Sequence, residues 1–261
     1  CKIQEHFSPC QKNSTLDLLS VLKEPSAPCY DLKSYLRYFP SNLRFDYNFQ
    51  DLFDIPYGPT FVKNRPISKS NSRYVLMKLN SGRFFDFKKD KLQFDKKENT
   101  AIFRGPCHRP HRKYFMKNCF ELNNTNIGDT RPPEISGKYY KPFMSIGELL
   151  KNKFIISVEG NDVSSSLPWI MASNSITFMT EPIFEGWFMQ GMLIPDHHYV
   201  LLNDDYSDLE EKIDYYSSNE QEALEIINNA QKHVAQFFDH KNELITSLLV
   251  LEKYFTLSSQ I

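Results

Sequence analysis

The apolar positions change texture along the chain. Over residues 43–94 they come as short runs separated by proline, glycine and polar turns: Phe61-Val62, Tyr74-Val75-Leu76-Met77 and Arg83-Phe84-Phe85-Asp86-Phe87. Runs of that length between turn formers predict strands. Ahead of them, Leu32, Tyr35, Leu36 and Phe39 stand at helical spacing before Pro40, so residues 31–39 read as a short helix. Residues 1–30 hold Pro9, Pro25 and Pro28 with weak periodicity and read as a loosely organised lead-in.

From residue 99 the order is clearer. Residues 100–103 predict a strand ending at Arg104-Gly105. Ser145-Ile146-Gly147-Glu148 has the form of a capping box and opens a helix through Leu150. Phe154-Ile155-Ile156-Ser157-Val158 is the kind of run a doubly covered parallel strand needs. It breaks at Glu159-Gly160-Asn161-Asp162, and a helix is expected over 165–171. Residues 175–179 predict a strand, 184–189 a helix and 198–202 another strand, with His197-His198 at its start. Two further capping boxes, Ser207-Asp208-Leu209-Glu210 and Ser218-Asn219-Glu220-Gln221, open helices striped by Leu209, Ile213 and Tyr216 and by Ala223, Ile226, Ala230 and Val234. Leu244, Leu248, Leu251 and Phe255 stripe the last one. Strands alternating with helices imply parallel sheets, so the fold class expected is α/β. A division near Lys97 gives two such domains with a cleft between them: 1–97, then 98–238, with 239–261 as a helix that packs back on the first.

Composition narrows the function classes. Of 261 residues 41% are hydrophobic and 14% aromatic, enough for real cores. Lys+Arg 31 against Asp+Glu 32 leaves a net charge of −1, so no global basic field exists to hold DNA or RNA. No apolar run approaches the ~18 residues of a membrane span. Five widely spaced cysteines, an odd number without C-x-x-C, fit reduced thiols in a cytoplasmic setting better than a disulfide framework. The first residue is Cys, so the chain is expected to begin inside a longer one.

Three places carry candidate chemistry. The loop Gly160-Asn161-Asp162-Val163-Ser164-Ser165-Ser166 follows a strand, where a glycine lets phosphate approach the backbone and a following helix offers unpaired N–H groups. The same residues also suit an ordinary β–α turn. Phe103-Arg104-Gly105 ends another strand and leads to His108, Arg109, His111, Arg112 and Lys113, either a diphosphate grip or a solvated basic loop. Cys107, His108, His111 and Cys119 invite a zinc reading, but their spacing matches no standard structural site. Asn48-Phe49-Gln50-Asp51, followed by Asp54-Ile55-Pro56, offers a carboxylate as general base or a routine turn. No Asp-x-Asp occurs, which weakens a metal-bridged diphosphate site, and no G-x-S-x-G or H-E-x-x-H supports a hydrolase.

Taken together, several segments resemble the family-90 glycosyltransferases, the bacterial lipopolysaccharide branch more closely than the Rumi-type protein O-glucosyltransferases. They are Tyr35-Leu36-Arg37-Tyr38-Phe39-Pro40, Pro59-Thr60-Phe61-Val62-Lys63-Asn64-Arg65-Pro66-Ile67, Phe103-Arg104-Gly105 with Arg112, Lys153 to Val163, Trp169 to Ser175, Leu193 to Val200 and Asp205 to Ile213. The resemblance implies a GT-B arrangement of two Rossmann-like domains facing a cleft. The second domain would hold a UDP-hexose with no metal and no cofactor. It places diphosphate contacts at Arg104, Gly105, Arg112 and the loop from Gly160 to Ser166, and the general base at Asp51. The acceptor it implies is a lipopolysaccharide core, met at the cytoplasmic face of the inner membrane. The alternatives are a protein acceptor and a non-catalytic nucleotide-sugar-binding protein. The chain departs from the pattern at Ser166, where the Rumi-type branch has Arg; Lys63 or Arg65 is the expected substitute. Phe103 stands for the Trp of bacterial members and keeps an aromatic surface.

Overall fold

The computed structural model describes residues 16–17, 26–51, 56–68 and 71–261; Asp54, Ile55, Cys1 and Cys10 lie outside these. By contacts the chain forms two compact units. The first comprises Cys1–Phe84, Ile183–Gly191 and Phe237–Ile261, and the second Phe85–Pro182 and Met192–Gln236. The contact boundary thus falls at 84/85, against the 97/98 read from sequence. The reason is local: Lys97 Nζ is buried against Asp90, 2.7 Å away, and Asp90 also accepts the Asn174 N–H, so residues 85–97 are fastened to the second unit.

In the first unit α1 (Ala27–Leu36) begins four residues before the expected start. Ser26 caps it, accepting the Cys29 N–H, and Pro28 is tolerated in the first turn. Strand β1 (Leu16–Asp17) precedes it, and β2 (Arg44–Asn48), β3 (Thr60–Val62), β4 (Asn64–Pro66) and β5 (Tyr74–Leu76) follow. All but β4 form a sheet of order β1-β2-β3-β5, parallel from β2 to β5 with β1 antiparallel at the edge. Of residues 83–87, expected as a strand, Arg83 and Phe84 instead end the single helical turn α2 (Ser81–Phe84), whose Ser81 N–H is capped by Asp31, and 85–87 are irregular.

The second unit carries β6 (Glu98–Gly105), α3 (Pro110–Cys119), β7 (Thr125–Asp129), α4 (Pro133–Ser136), α5 (Ile146–Leu149), β8 (Asn152–Ile156), α6 (Leu167–Met171) and β9 (Ile176–Met179). After β10 (Phe184–Gly186), which belongs to the first unit, come β11 (Val200–Leu201), α7 (Leu209–Ser218) and α8 (Glu220–Ala235). The helix α9 (His240–Leu257) returns to the first unit, where Leu251, Tyr254 and Phe255 join the core of Leu32, Leu36, Phe45, Phe61 and Met77.

The expected helix at 184–189 is this strand β10, paired antiparallel with β4. Gly186 explains the difference: a Cβ there would come within 2.4 Å of Asn64 Oδ1, so the residue serves close strand approach, and glycine weakens a helix. Arg65 and Glu185 fix the pair with an ion pair of 2.8 Å.

The sheet of the second unit has the order β11-β9-β8-β6-β7, every pair parallel. Counted along the chain this is 2-1-3-4-5, a doubly wound sheet. Both faces are covered: Ala101, Phe103, Phe154 and Ile156 meet α3, α7 and α8 on one face, while Ile102 and Ile155 meet α5 and α6 on the other. The period of two along β6 and β8 is what lets one apolar run serve both cores. Of the three capping boxes only Ser145 and Glu148 form one. Asp208 and Asn219 stand at the other two helix starts without a side-chain cap, and Glu210 turns instead to Asn123, accepting at 2.9 Å.

Candidate active site

The strand order of the second unit reverses between β6 and β8. In open α/β sheets ligands bind beyond the carboxyl ends of the strands at that point. Two loops converge there, one leading from β6 into α3 and one from β8 into α6. Arg112, in the first turn of α3, ties them together. Its Nε donates to the Glu159 carbonyl and its Nη2 to the Val158 carbonyl, both at 2.7 Å, and Nη1 donates to the Pro106 carbonyl at 3.0 Å. The guanidinium also lies over the Phe103 ring, 5.7 Å from its centroid, so the Phe in place of Trp keeps a stacking surface. Gly105 is tightly fitted: a Cβ would stand 3.1 Å from the Phe103 ring and 3.4 Å from Arg112 Nη1.

Further contacts close the seam. His111 Nε2 is 2.8 Å from the Glu159 carbonyl, His108 Nε2 is 3.2 Å from Asn161 Oδ1, and Arg109 Nε donates to the same oxygen. Within the glycine loop the Gly160 N–H donates to the Asp162 carbonyl at 2.9 Å, and the Ser164 and Ser166 hydroxyls are 2.9 Å apart. Asp162, Val163 and Ser164 are buried, while Ser165 and Ser166 are half-buried. The helix after this loop, α6, has only five residues, so it offers little of the expected dipole. The helix start that does face this seam is that of the ten-residue α3, with no acidic residue in its first turn and no side-chain cap. Residues 108–113 read from sequence as a loop; Pro110 was the available signal, since proline favours the first helical position.

Arg104 is placed differently. Alternation along β6 puts it on the Ile102 face, where its guanidinium donates to the Phe103 carbonyl (2.8 Å), to the Asn126 carbonyl and Oδ1 (2.6 and 2.7 Å) and to the Pro142 carbonyl (3.3 Å). Burial lowers its pKa from the usual arginine value. Gly105, Arg112, Gly160 and Asn161 are thus assembled at one seam, and Arg104 is latched toward β7.

The remaining candidates belong to the first unit. Asn48 Oδ1 accepts the Gln50 N–H at 2.9 Å and shapes the turn after β2 that presents Asp51. The Asp51 carboxylate is 2.5 Å from Lys63 Nζ, with the Asp51 side chain 27% exposed. Arg65 donates to Glu185 and to the Tyr74 carbonyl. Both cations named as substitutes for the missing loop arginine therefore rest on groups of the first unit. Cys107 and Cys119 are buried free thiols, each pushed up to about 12 by burial. Among the described residues no group of three or more His, Cys, Asp or Glu is placed to hold a metal ion.

Comparison with known proteins shows the family. Residues 75–259 match glycosyl transferase family 90. O-glucosyltransferase LpsA of Dichelobacter nodosus is 43% identical over 235 residues, which cover 90% of this chain and 74% of that protein. Protein O-glucosyltransferase 2 of Danio rerio is 28% identical over 141 residues, 51% of this chain and 28% of that one. Among solved structures, sucrose-phosphate synthase from Thermosynechococcus elongatus aligns with 87% of this chain and 57% of that one at 12% identity, with a TM-score of 0.46. The match spans both strand-end loops described above as well as most of the chain, which belongs to glycosyl transferase family 90.

Proposed function

We propose that this glycosyltransferase moves a hexose, glucose or galactose, from a UDP-sugar to a sugar hydroxyl of a lipopolysaccharide or lipooligosaccharide core, with inversion and without a metal ion or cofactor. One observation supports this above the others. The crevice at the strand-order reversal is walled by a helix start that carries His108, Arg109, His111, Arg112 and Lys113 with no acidic residue in the helix's first turn. Cations at a helix N-terminus oppose its dipole, and a bound diphosphate relieves that repulsion. As the bond from sugar to UDP breaks, negative charge grows on the diphosphate, and fixed guanidinium and amide donors stabilise it without reorganising.

Asp51 takes the proton of the acceptor hydroxyl as it attacks the anomeric carbon, and Lys63 holds the carboxylate in place. The sugar passes through an oxocarbenium-like state. Glucose is the first donor to test, because the named relatives are O-glucosyltransferases. The names of the animal relatives favour a second reading, transfer to a protein hydroxyl. A lipid-anchored acceptor brings the protein to the cytoplasmic face of the inner membrane as a peripheral visitor. Among the described residues no helix is long and apolar enough to cross a membrane.

The test is UDP release from UDP-glucose and UDP-galactose with core oligosaccharides and with serine peptides as acceptors, in EDTA and with added Mn²⁺ or Mg²⁺. The expected result is release with the oligosaccharide in EDTA, and an NMR spectrum showing the anomeric configuration inverted. Release only with divalent cation, or only with peptide, overturns the corresponding part. Absence of turnover beside tight UDP binding would favour a non-catalytic sugar-nucleotide binder.

A further inference from the structure

We infer that Asp129 and Arg131 are positioning residues for the donor site: together they hold the loop between β6 and α3 by both backbone groups of Cys107. Asp129 ends β7, opposite Gly105 in the sheet register, and is 2% exposed. Its Oδ1 accepts the Cys107 N–H at 3.2 Å and the Arg131 N–H at 3.0 Å. Its Oδ2 takes Arg131 Nη2 at 2.6 Å and Nε at 3.0 Å, and Nε also reaches Oδ1 at 3.2 Å, so the guanidinium fork engages both carboxylate oxygens. The same Nη2 reaches on to the Cys107 carbonyl at 2.9 Å. One residue of the loop is therefore pinned at its donor and its acceptor by a single acid–base pair.

The surroundings make the pair rigid. The Thr130 N–H donates to the Gly105 carbonyl at 3.2 Å, the Lys141 N–H donates to the Asp129 carbonyl at 3.0 Å, and the Ser136 hydroxyl donates to the Arg131 carbonyl at 2.7 Å. Burial pushes the Asp129 carboxyl up, but its hydrogen bonds from Arg131 and Cys107 together outweigh this and hold it below its ordinary range, while the bond to Asp129 raises Arg131, as a committed pair requires. What is pinned matters, because Cys107 lies between Gly105 and the helix start at Pro110. A shift there moves Pro106, whose carbonyl receives Arg112, and then the first turn of α3. An ångström of misplacement in such a constellation costs far more than its distance suggests. The inference rests on the donor reading of the crevice given above.

The loop contains its own reporter. Cys107 is a buried thiol that the clasp keeps out of solvent, and Cys119 and Cys29 are buried cysteines elsewhere. The experiment treats the full chain and its Arg131→Ala and Asp129→Asn variants with N-ethylmaleimide under native conditions. Modification is read at each cysteine by mass spectrometry, and UDP affinity is titrated beside it. The expected result is Cys107 alkylated about tenfold faster and UDP bound about tenfold more weakly, with Cys29 and Cys119 unchanged. Unchanged Cys107 reactivity overturns the clasp. Faster alkylation with UDP affinity intact overturns its role in the donor site. If Cys29 and Cys119 also react, the variant has unfolded, and Arg131→Lys, which keeps the charge but not the fork, decides on the same two readouts. If the unaltered protein fails to bind UDP, the donor reading falls, while the alkylation rates still judge the clasp.

Discussion

In the first unit the prominent cations lie against carboxylates: Lys63 on Asp51, Arg65 on Glu185 and Lys78 on Glu243, all at 2.5–2.8 Å. At the rim of the second, Arg112 and Arg104 lie mainly on carbonyl oxygens. The difference is electrostatic. A lysine on a carboxylate is neutralised, whereas a guanidinium on carbonyls is held in geometry but keeps its full charge. The second unit therefore offers a preorganised positive rim, suited to a leaving diphosphate, and the first offers a positioned carboxylate, suited to a proton. The proposed function divides substrate anion and proton transfer between the two on that account.

The sharpest attempt to break this division is Asp51→Asn. It should lower kcat for transfer about a thousandfold, the middle of the range for losing a general base, while UDP affinity stays as it was. Transfer at the normal rate removes Asp51 from the base role. Weakened UDP binding would show instead that the two duties are not divided.

Next comes the contrast between the two arginines. Arg112→Ala removes two charge-assisted hydrogen bonds across the seam and a third within its own loop, each worth ~1.5–3 kcal/mol at most, so UDP affinity should fall about a hundredfold with a clear loss of Tm. Arg104→Ala is expected to weaken UDP about tenfold, since its fork is committed to Asn126 and Pro142 on the other face. Isothermal titration with UDP orders them. If Arg104→Ala proved the more severe, its latch to Asn126 would have to open on binding, and the carbonyl-held rim would no longer be the preorganised part.

The same division governs what the sequence discloses. In the second unit the runs 100–103 and 154–158 gave strands near their true places, because each packs on both faces and needs only local apolar residues. In the first, the runs Phe61-Val62 and Tyr74-Val75-Leu76-Met77 fell on β3 and β5, but β4 and β10, of three residues each, have reasons that lie far along the chain. Nothing near Phe184 announces that Asn64 needs a glycine opposite it. Of the candidate site, the convergence of its loops was legible, since Arg112, Gly105 and Gly160 meet at the reversal of strand order. The orientation of Arg104 was not, because it depends on Asn126 and on the segment through Pro142, which no motif marks. Asp129 and Arg131 escaped for a similar reason: a lone D-x-R after an unrecognised strand has no local signature, and its meaning comes from Cys107, 22 residues earlier.

The smallest expected effect concerns a histidine group of the second unit away from the seam. His197 and His198 rings are 4.6 Å apart by centroid, and His233 lies 5.5 Å from His198. His198 Nδ1 accepts the Ile194 N–H at 2.9 Å, which only the neutral ring can do. Burial, then the neighbouring His197 and His233, pull its pKa from 6.5 down to about 4. The unfolded chain thus takes up this proton first, so the contribution is complete above pH 6.5 and shrinks as pH falls toward 4. Because the ring is half exposed, solvent screening reduces the contribution to about 1 kcal/mol. His198→Gln, whose side chain does not titrate, should flatten that part of the profile. Urea midpoints at pH 7.5 and 5 should therefore differ less in the variant than in the parent, with UDP affinity equal in both at pH 7.5. Equal pH sensitivity would mean that the three rings share protons more freely than their packing implies.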